Sequence, residues 1–345
     1  MDNDRNRPCL AKSRFSYRLS VSSGEHHLVN RSPESLALAL ITSRIVNVGT
    51  KPLTVREFFK AFSSTDKLIG IADMDTDQIA AHLVIAPDLA QRIHSLLGTS
   101  RALVFELERL EEAGVRLLTM LDEGFPMGLR AKLGNQCPAS LLVAGPVEWL
   151  SMPNVGIVGS RGISVEAAEV ASQVAQLAVQ TGFGVASGLA KGIDQTAMAS
   201  GLNFQGRVCG LPTEGIRVIG RRTDARMAVH DGALTLASPF SPDAPFSVGN
   251  AMARNKLIYG ISDVTVVVTS DEGRGGTWAG ATEALERGYG RVAVWMGPGA
   301  GPGNAALVAK GATAIHNIDD LSWLNPDLSV ENISTSRQFE PQRLF

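Results

Sequence analysis

The chain has 345 residues, of which 44% are hydrophobic and 19% charged, and its formal net charge is −2. That length suits two domains with a real core, and no stretch approaches the roughly 20 consecutive apolar residues of a membrane-spanning helix. The near-neutral balance excludes a histone-like electrostatic binder, while three dispersed cysteines and six scattered histidines exclude a disulfide framework and make a zinc site unexpected. Residues 1–32 are polar, rich in Ser and Arg, and lack the apolar stretch of a secretory signal. They read as a solvated, disordered tail on a cytoplasmic protein. Across 33–112, apolar residues recur at spacings of three and four. The pattern predicts helices opening at Ser35 and at Val55 (with Thr54 as N-cap), then helices over 76–83, 86–97 and 101–113, forming a small all-helical domain.

From Val115 the texture becomes short apolar runs alternating with helical stretches. Strands are predicted at 115–119, 140–144, 155–158, 184–187, 208–211, 264–268 and 292–295, and helices at 165–180, 194–202, 250–260 and 280–287. Strands apolar on both faces, alternating with helices, imply an α/β fold with a doubly wound, mostly parallel sheet over residues 113–321. Such sheets bind ligands beyond the carboxyl ends of their strands. Residues 322–345 return to polar sequence and read as a second tail.

Five polar segments stand out, four of them glycine-rich turns at predicted strand ends and one on a helix. The first, Gly156 to Ser164, carries Gly159, Ser160 and Arg161 where a helix opens, and backbone N–H groups at such a start attract phosphate. Its glycines are spaced GxxGxxG rather than GxGxxG, and no acidic residue ends the next strand, so a dinucleotide is disfavoured. Glycines kept only for packing are the competing explanation. The second, Ser187 to Asp194, offers Gly188 and Lys191, with Asp194 expected as a helix N-cap. The third, Arg254-Asn255-Lys256, lies on a helix entered after Phe246-Ser247; two residues apart, Arg254 and Lys256 cannot share a face, so one is expected at a ligand and the other in solvent. The fourth contains Gly275-Gly276-Thr277, with Thr277 expected as N-cap, and the fifth runs from Gly297 to Asn304, which would cap a helix or meet a base. Arg217, Arg221, Arg222 and Arg226 would track a phosphodiester chain or form a solvated charged loop, and the two readings stand level. Phe246 and Trp278 are candidates for base stacking, whereas core packing suits Trp295 better. No GxSxG, HExxH, Cys–His pair or P-loop lysine is present, which favours binding over turnover.

Taken in order, these turns resemble the DNA-processing protein A (DprA/Smf) family. The resemblance rests on Gly159-Ser160-Arg161, Ser187-Gly188-Leu189-Ala190-Lys191-Gly192-Ile193-Asp194, Arg254-Asn255-Lys256-Leu257-Ile258 and Gly275-Gly276-Thr277, the last leading into Glu283 to Gly288. It covers roughly residues 35 to 320, with Glu111 to Thr119 and Phe125-Pro126 as the lead-in to the sheet. It implies an extended Rossmann-like domain behind a helix-hairpin-helix or SAM-like module, with no cofactor. It also implies homodimers that bind and protect single-stranded DNA and help load RecA recombinase during natural transformation or recombination. On that basis Arg161, Lys191 and Arg254 would hold phosphates, with Gly159, Ser160, Gly188, Asn255, Lys256, Gly275, Gly276 and Thr277 around them and Arg221 and Arg222 as outlying contacts. Departures include Met198 for a histidine, Lys256 for a second arginine, Trp278 after the glycine pair, Gly215 to Arg226 in place of the Tyr-Pro that follows the next strand, and no expected C-terminal winged helix. They leave open another DNA pathway, such as phage defence. The enzymatic alternative is a phosphoribohydrolase with a Gly-Gly-x-Gly-Thr-x-x-Glu motif. Here Glu283 falls one residue late, and the resulting rotation of ~100° should point it elsewhere.

Overall fold

The computed structural model describes residues 31–47 and 49–324. The predicted tails lie outside that range except at their inner ends. Arg31 and Ser32 are ordered, contrary to the expected boundary: Arg31 pairs with Asp122 at 3.1 Å and donates to the Leu117 carbonyl, and Ser32 caps the first helix. Residues 318–324 form a closing 3-10 turn.

Five helices make the N-terminal module: α1 (Pro33–Thr42), α2 (Val55–Ala61), α3 (Thr76–Leu83), α4 (Pro87–Leu97) and α5 (Ser100–Glu112). Their starts follow local chemistry. Thr54 with Glu57, and Asp75 with Gln78, form reciprocal capping boxes that satisfy otherwise orphaned amides. Arg92 adds a salt bridge to Glu57 and holds that carboxyl down at about 2. Leu38, Ile41, Ile93 and Leu107 are buried in an apolar cluster that continues without a break into Val155, Ile157, Val264 and Val266 of the sheet. The module therefore completes the core on one face of the sheet.

The strands are β1 (Val115–Thr119), β2 (Ser140–Ala144), β3 (Asn154–Gly159), β4 (Gly184–Ser187), β5 (Val208–Gly210), β6 (Leu234–Ser238), β7 (Val264–Thr269), β8 (Arg291–Trp295) and β9 (Thr313–Ile315). They form one sheet in the order β1-β2-β6-β5-β4-β3-β7-β8-β9. The run from β6 to β9 is parallel, while β2 pairs antiparallel with β6 and β1 pairs antiparallel with β2 at the edge. Alternation along the strands fills both faces: Ile157 and Val266 belong to one cluster, Val158 and Val267 to the other.

Between the strands lie α6 (Met127–Leu133), α7 (Val165–Gln180), α8 (Ile193–Asn203), α9 (Ile216–Gly220), α10 (Thr223–His230), α11 (Val248–Ile261), α12 (Gly275–Arg287) and α13 (Asn304–Ala309). The long elements match the sequence reading. Strands β6 and β9 and helices α6, α9 and α10 lie outside the sequence reading. Length is not the reason, since β4 and β5 are shorter than β6, but Thr235 and Ser238 interrupt the apolar run of β6 and so mask a strand buried on both faces. β6 matters most, since it is the strand on which the antiparallel pair docks. From β3 the chain crosses by α7 to β4 on one side, whereas β7 occupies the other. The strand order thus reverses at β3 and β7, leaving a crevice beyond their carboxyl ends.

Candidate nucleic-acid interface

A cleft of about 720 Å³ occupies this crevice. The turn after β3, the helix α11, the turn after β7 and the glycine-rich segment at 299–302 line it, and the first turns of α7, α8 and α12 open onto it. Helix starts present unpaired N–H groups and the positive end of the helix dipole, so the site is preset for anions. Ser164 uses one of those amides by capping α7, accepting from Ala167 N at 3.2 Å. Charged side chains on the wall are Arg161, Arg254 and Arg274 against Asp194 and Asp271.

Arg254 sits at the centre. Only 4% exposed on α11, it leaves Nε and one terminal NH without a hydrogen-bond partner. Its nearest opposite charge is Asp194 Oδ2 at 3.6 Å, on a side chain equally buried. Burial pushes the Asp194 carboxyl above its ordinary value, against the pull of Arg254 and of the Ala190 and Gly188 amides. Burial also lowers the guanidinium value, opposed chiefly by Asp194. An arginine keeps its charge through such a shift, so a cation with unspent donors is held at the cleft. Tyr259 adds a buried hydroxyl with no partner, and burial keeps it a neutral phenol.

Two glycines make this arrangement sterically feasible. A Cβ at Gly188 would overlap the Arg254 guanidinium, and one at Gly192 would collide with the Ser160 and Arg161 carbonyls at a φ of +87°. Between them, Leu189 is held left-handed at φ 59°, a conformation that costs a non-glycine residue roughly 1–2 kcal/mol.

The structure brings Gly159, Ser160, Arg161, Arg254, Asn255, Gly275, Gly276 and Thr277 to the cleft wall. Some of their polar atoms are already used. Ser160 donates from N and Oγ to Thr269 O at 3.0 and 3.3 Å, and Asn255 Nδ2 donates to Gly276 O at 2.9 Å, fastening α11 to α12. Gly188 borders the cleft through Arg254, while Lys191 is exposed outside its lining.

Lys256 faces away from the cleft, as its spacing from Arg254 required, but it is not left to solvent. Its Nζ donates to Gln136 Oε1 and meets Glu283 at 3.4 Å. Glu283 also lies off the cleft wall, accepting from the Tyr289 hydroxyl at 3.2 Å.

Three expectations need correction, and one open reading is narrowed. Asp194 is not an N-cap: Gly192 holds that position, and the aspartate is the buried partner of Arg254. Thr277 does not cap α12, whose N-cap position is Arg274. Asn304 neither caps a helix nor faces a base; buried to 1%, it accepts from Ser270 N and donates to the Val268 and Trp295 carbonyls, joining β7 to β8. Arg217 is consumed by ion pairs with Asp243 and with Glu106 of α5, whereas Arg221 and Arg222 are exposed and stand outside the cleft lining. Trp295, at 6% exposure, packs in the core as read from sequence. Tyr259 was missed, although it follows Asn255 by four residues on the same helical stripe, which was a legible signal.

A family model described as DNA recombination-mediator protein A matches residues 116–324, more than half of the chain. The chain belongs to this family. Among similar proteins, the DNA processing protein DprA of Bacillus subtilis (strain 168) is 28% identical over 230 residues, 65% of this chain and 76% of that protein. Protein Smf of Escherichia coli (strain K12) is 29% identical over 217 residues, 61% of this chain but only 57% of that protein. The X-ray structure of Streptococcus pneumoniae DprA superposes with a TM-score of 0.61 at 21% identity, covering 78% of this chain and 97% of that one. Helicobacter pylori DprA, described for its unique single-stranded DNA binding mode, gives a TM-score of 0.51 at 21% identity over 62% of this chain and 96% of that one. At these identities the two structures speak for the shared fold. Among the described residues, no helix of this DprA-family chain is long and apolar enough to cross a membrane.

Proposed function

We propose that this protein binds single-stranded DNA, seating backbone phosphates in the cleft between β3 and β7, and acts there as a binding protein rather than an enzyme. The observation that carries the reading is Arg254: a buried cation with two unspent donors, beside three helix starts. Hydrogen bonds to charged groups contribute roughly 1.5–3 kcal/mol each, and a phosphate oxygen would complete them. Arg161 and Arg274 supply exposed charge at the same wall, and Lys191, Arg221 and Arg222 lie outside as secondary contacts. Family membership supports the further reading: a cytoplasmic homodimer that protects incoming strands and helps load RecA during transformation or recombination.

The experiment is fluorescence anisotropy with a labelled single-stranded oligonucleotide, competed with duplex DNA. Salt-sensitive binding that prefers single strands, weakened by Arg161→Ala and Arg274→Ala in a folded protein, is expected, with a smaller effect from Lys191→Ala outside the cleft. Wild-type affinity in both cleft variants would remove the proposed site.

A further inference from the structure

Phe246 stands just outside the cleft, at the entry to α11. It is 48% exposed, and Val248 and Met252 beside it are 71% and 39% exposed. Single exposed apolar side chains are ordinary; three within seven residues, at the mouth of a cationic cleft, are a surface with an apolar task. The Arg161 guanidinium, which lines the cleft, lies 5.7 Å from the centre of the Phe246 ring. One residue therefore joins the phosphate wall to the aromatic surface.

The segment bearing Phe246 is fastened on both sides. Gly215 N donates to Ala244 O at 2.8 Å, and Asn250 Nδ2 reaches Thr213 O at 3.2 Å and Pro245 O at 3.5 Å. Ser247 caps α11 by accepting from Asn250 N at 3.0 Å. The ring is thus exposed on an ordered backbone, so little entropy is lost when something stacks on it. The other aromatics by the cleft are less available: Tyr259 is 2% exposed, and Trp278 is half-buried and packed against the apolar core.

We infer that Phe246 is a nucleobase-stacking platform, with Arg161 bridging it to the phosphate held at Arg254, so that one nucleotide is gripped by backbone and base together. The inference rests on the proposed single-strand binding and adds to it a base subsite outside the cleft. The occupant is an unpaired nucleobase of any identity, since every base offers a π face and the surface carries no hydrogen-bond code. A paired base is stacked within its duplex and cannot lie on the ring, so this subsite is also a source of preference for single strands.

The test is anisotropy with labelled oligo-dT and with an abasic strand of equal length, using wild type, Phe246→Ala, Phe246→Trp and Arg161→Ala. Base–aromatic stacking is worth about 1–3 kcal/mol per base, so Phe246→Ala should weaken oligo-dT binding at least about fivefold. Wild type should lose a similar factor on the abasic strand, and Phe246→Ala should no longer distinguish the two strands. Phe246→Trp should restore affinity, with its indole emission quenched on binding. If Phe246→Ala binds oligo-dT like wild type while Arg161→Ala is impaired, the platform is wrong and the phosphate cleft stands. If wild type binds no single strand at low salt, both readings fall.

Discussion

Replacing Arg254 by Met isolates the energetics of the site from its ligand. Methionine fills a similar volume but leaves Asp194, 7% exposed, without its counter-charge. Removing one partner of a buried ion pair typically costs about 3–5 kcal/mol, because the remaining charge stays uncompensated. Asp194 has an escape: it can take up a proton. That escape is limited by the cost of protonating a carboxyl whose unfolded value is about 3.9, roughly 5 kcal/mol at pH 7.5 and roughly 2 kcal/mol at pH 5.5. The sign follows from proton binding. In the folded state the Asp194 value is already raised by burial, and Arg254, which opposed the rise, is gone in the variant. Between the unfolded and folded values the folded protein holds the extra proton, so stability is greatest at low pH and is lost as pH rises. Urea unfolding followed by tryptophan fluorescence should show Arg254→Met destabilised by about 3–5 kcal/mol at pH 7.5 and by about 2 kcal/mol or less at pH 5.5, each relative to wild type at that pH. Adding Asp194→Asn should abolish the difference between the two pH values. A cost below about 1 kcal/mol at pH 7.5, or one that does not change with pH, would refute the buried-pair account.

Gly188→Ala places a methyl group where the Arg254 guanidinium lies and should weaken single-strand binding roughly tenfold or more, as expected for a lost charged hydrogen bond; anisotropy on the folded variant checks it. Asn304→Ala would leave Ser270 N and the Val268 and Trp295 carbonyls without their bridge, and urea unfolding should register a loss of about 3 kcal/mol with the cleft's ligand chemistry untouched. Titrations between low and moderate salt should give a log–log slope of about −2, the value for some three phosphates neutralised on a single strand. A slope steeper than about −5 would move the binding from the cleft to a broad basic surface.

Much of this molecule is determined by its sequence alone, because the responsible interactions are local. Thr54 with Glu57, Ser164 at the head of α7 and Ser247 at the head of α11 cap helices through contacts three residues away, and each start was legible. The same holds for both-sides-apolar strands such as Val264 to Val268, whose composition states that helices cover the sheet. The glycine turns announced a crevice beyond the strand ends for the same reason. What a residue does across the fold was decided only by tertiary structure. Asp194 and Asn304 both look like helix caps in a linear reading, since Asp and Asn favour those positions. Burial against residues tens of positions away makes one the counter-ion of Arg254 and the other a bridge between β7 and β8. Arg217 reads as part of a basic run until Glu106, 111 residues earlier, takes its charge. A sequence states the chemistry each side chain carries and the period of its neighbours. Which charges meet, and which lose their water in doing so, depends on long-range packing, and here that packing left Arg254 buried with donors to spare.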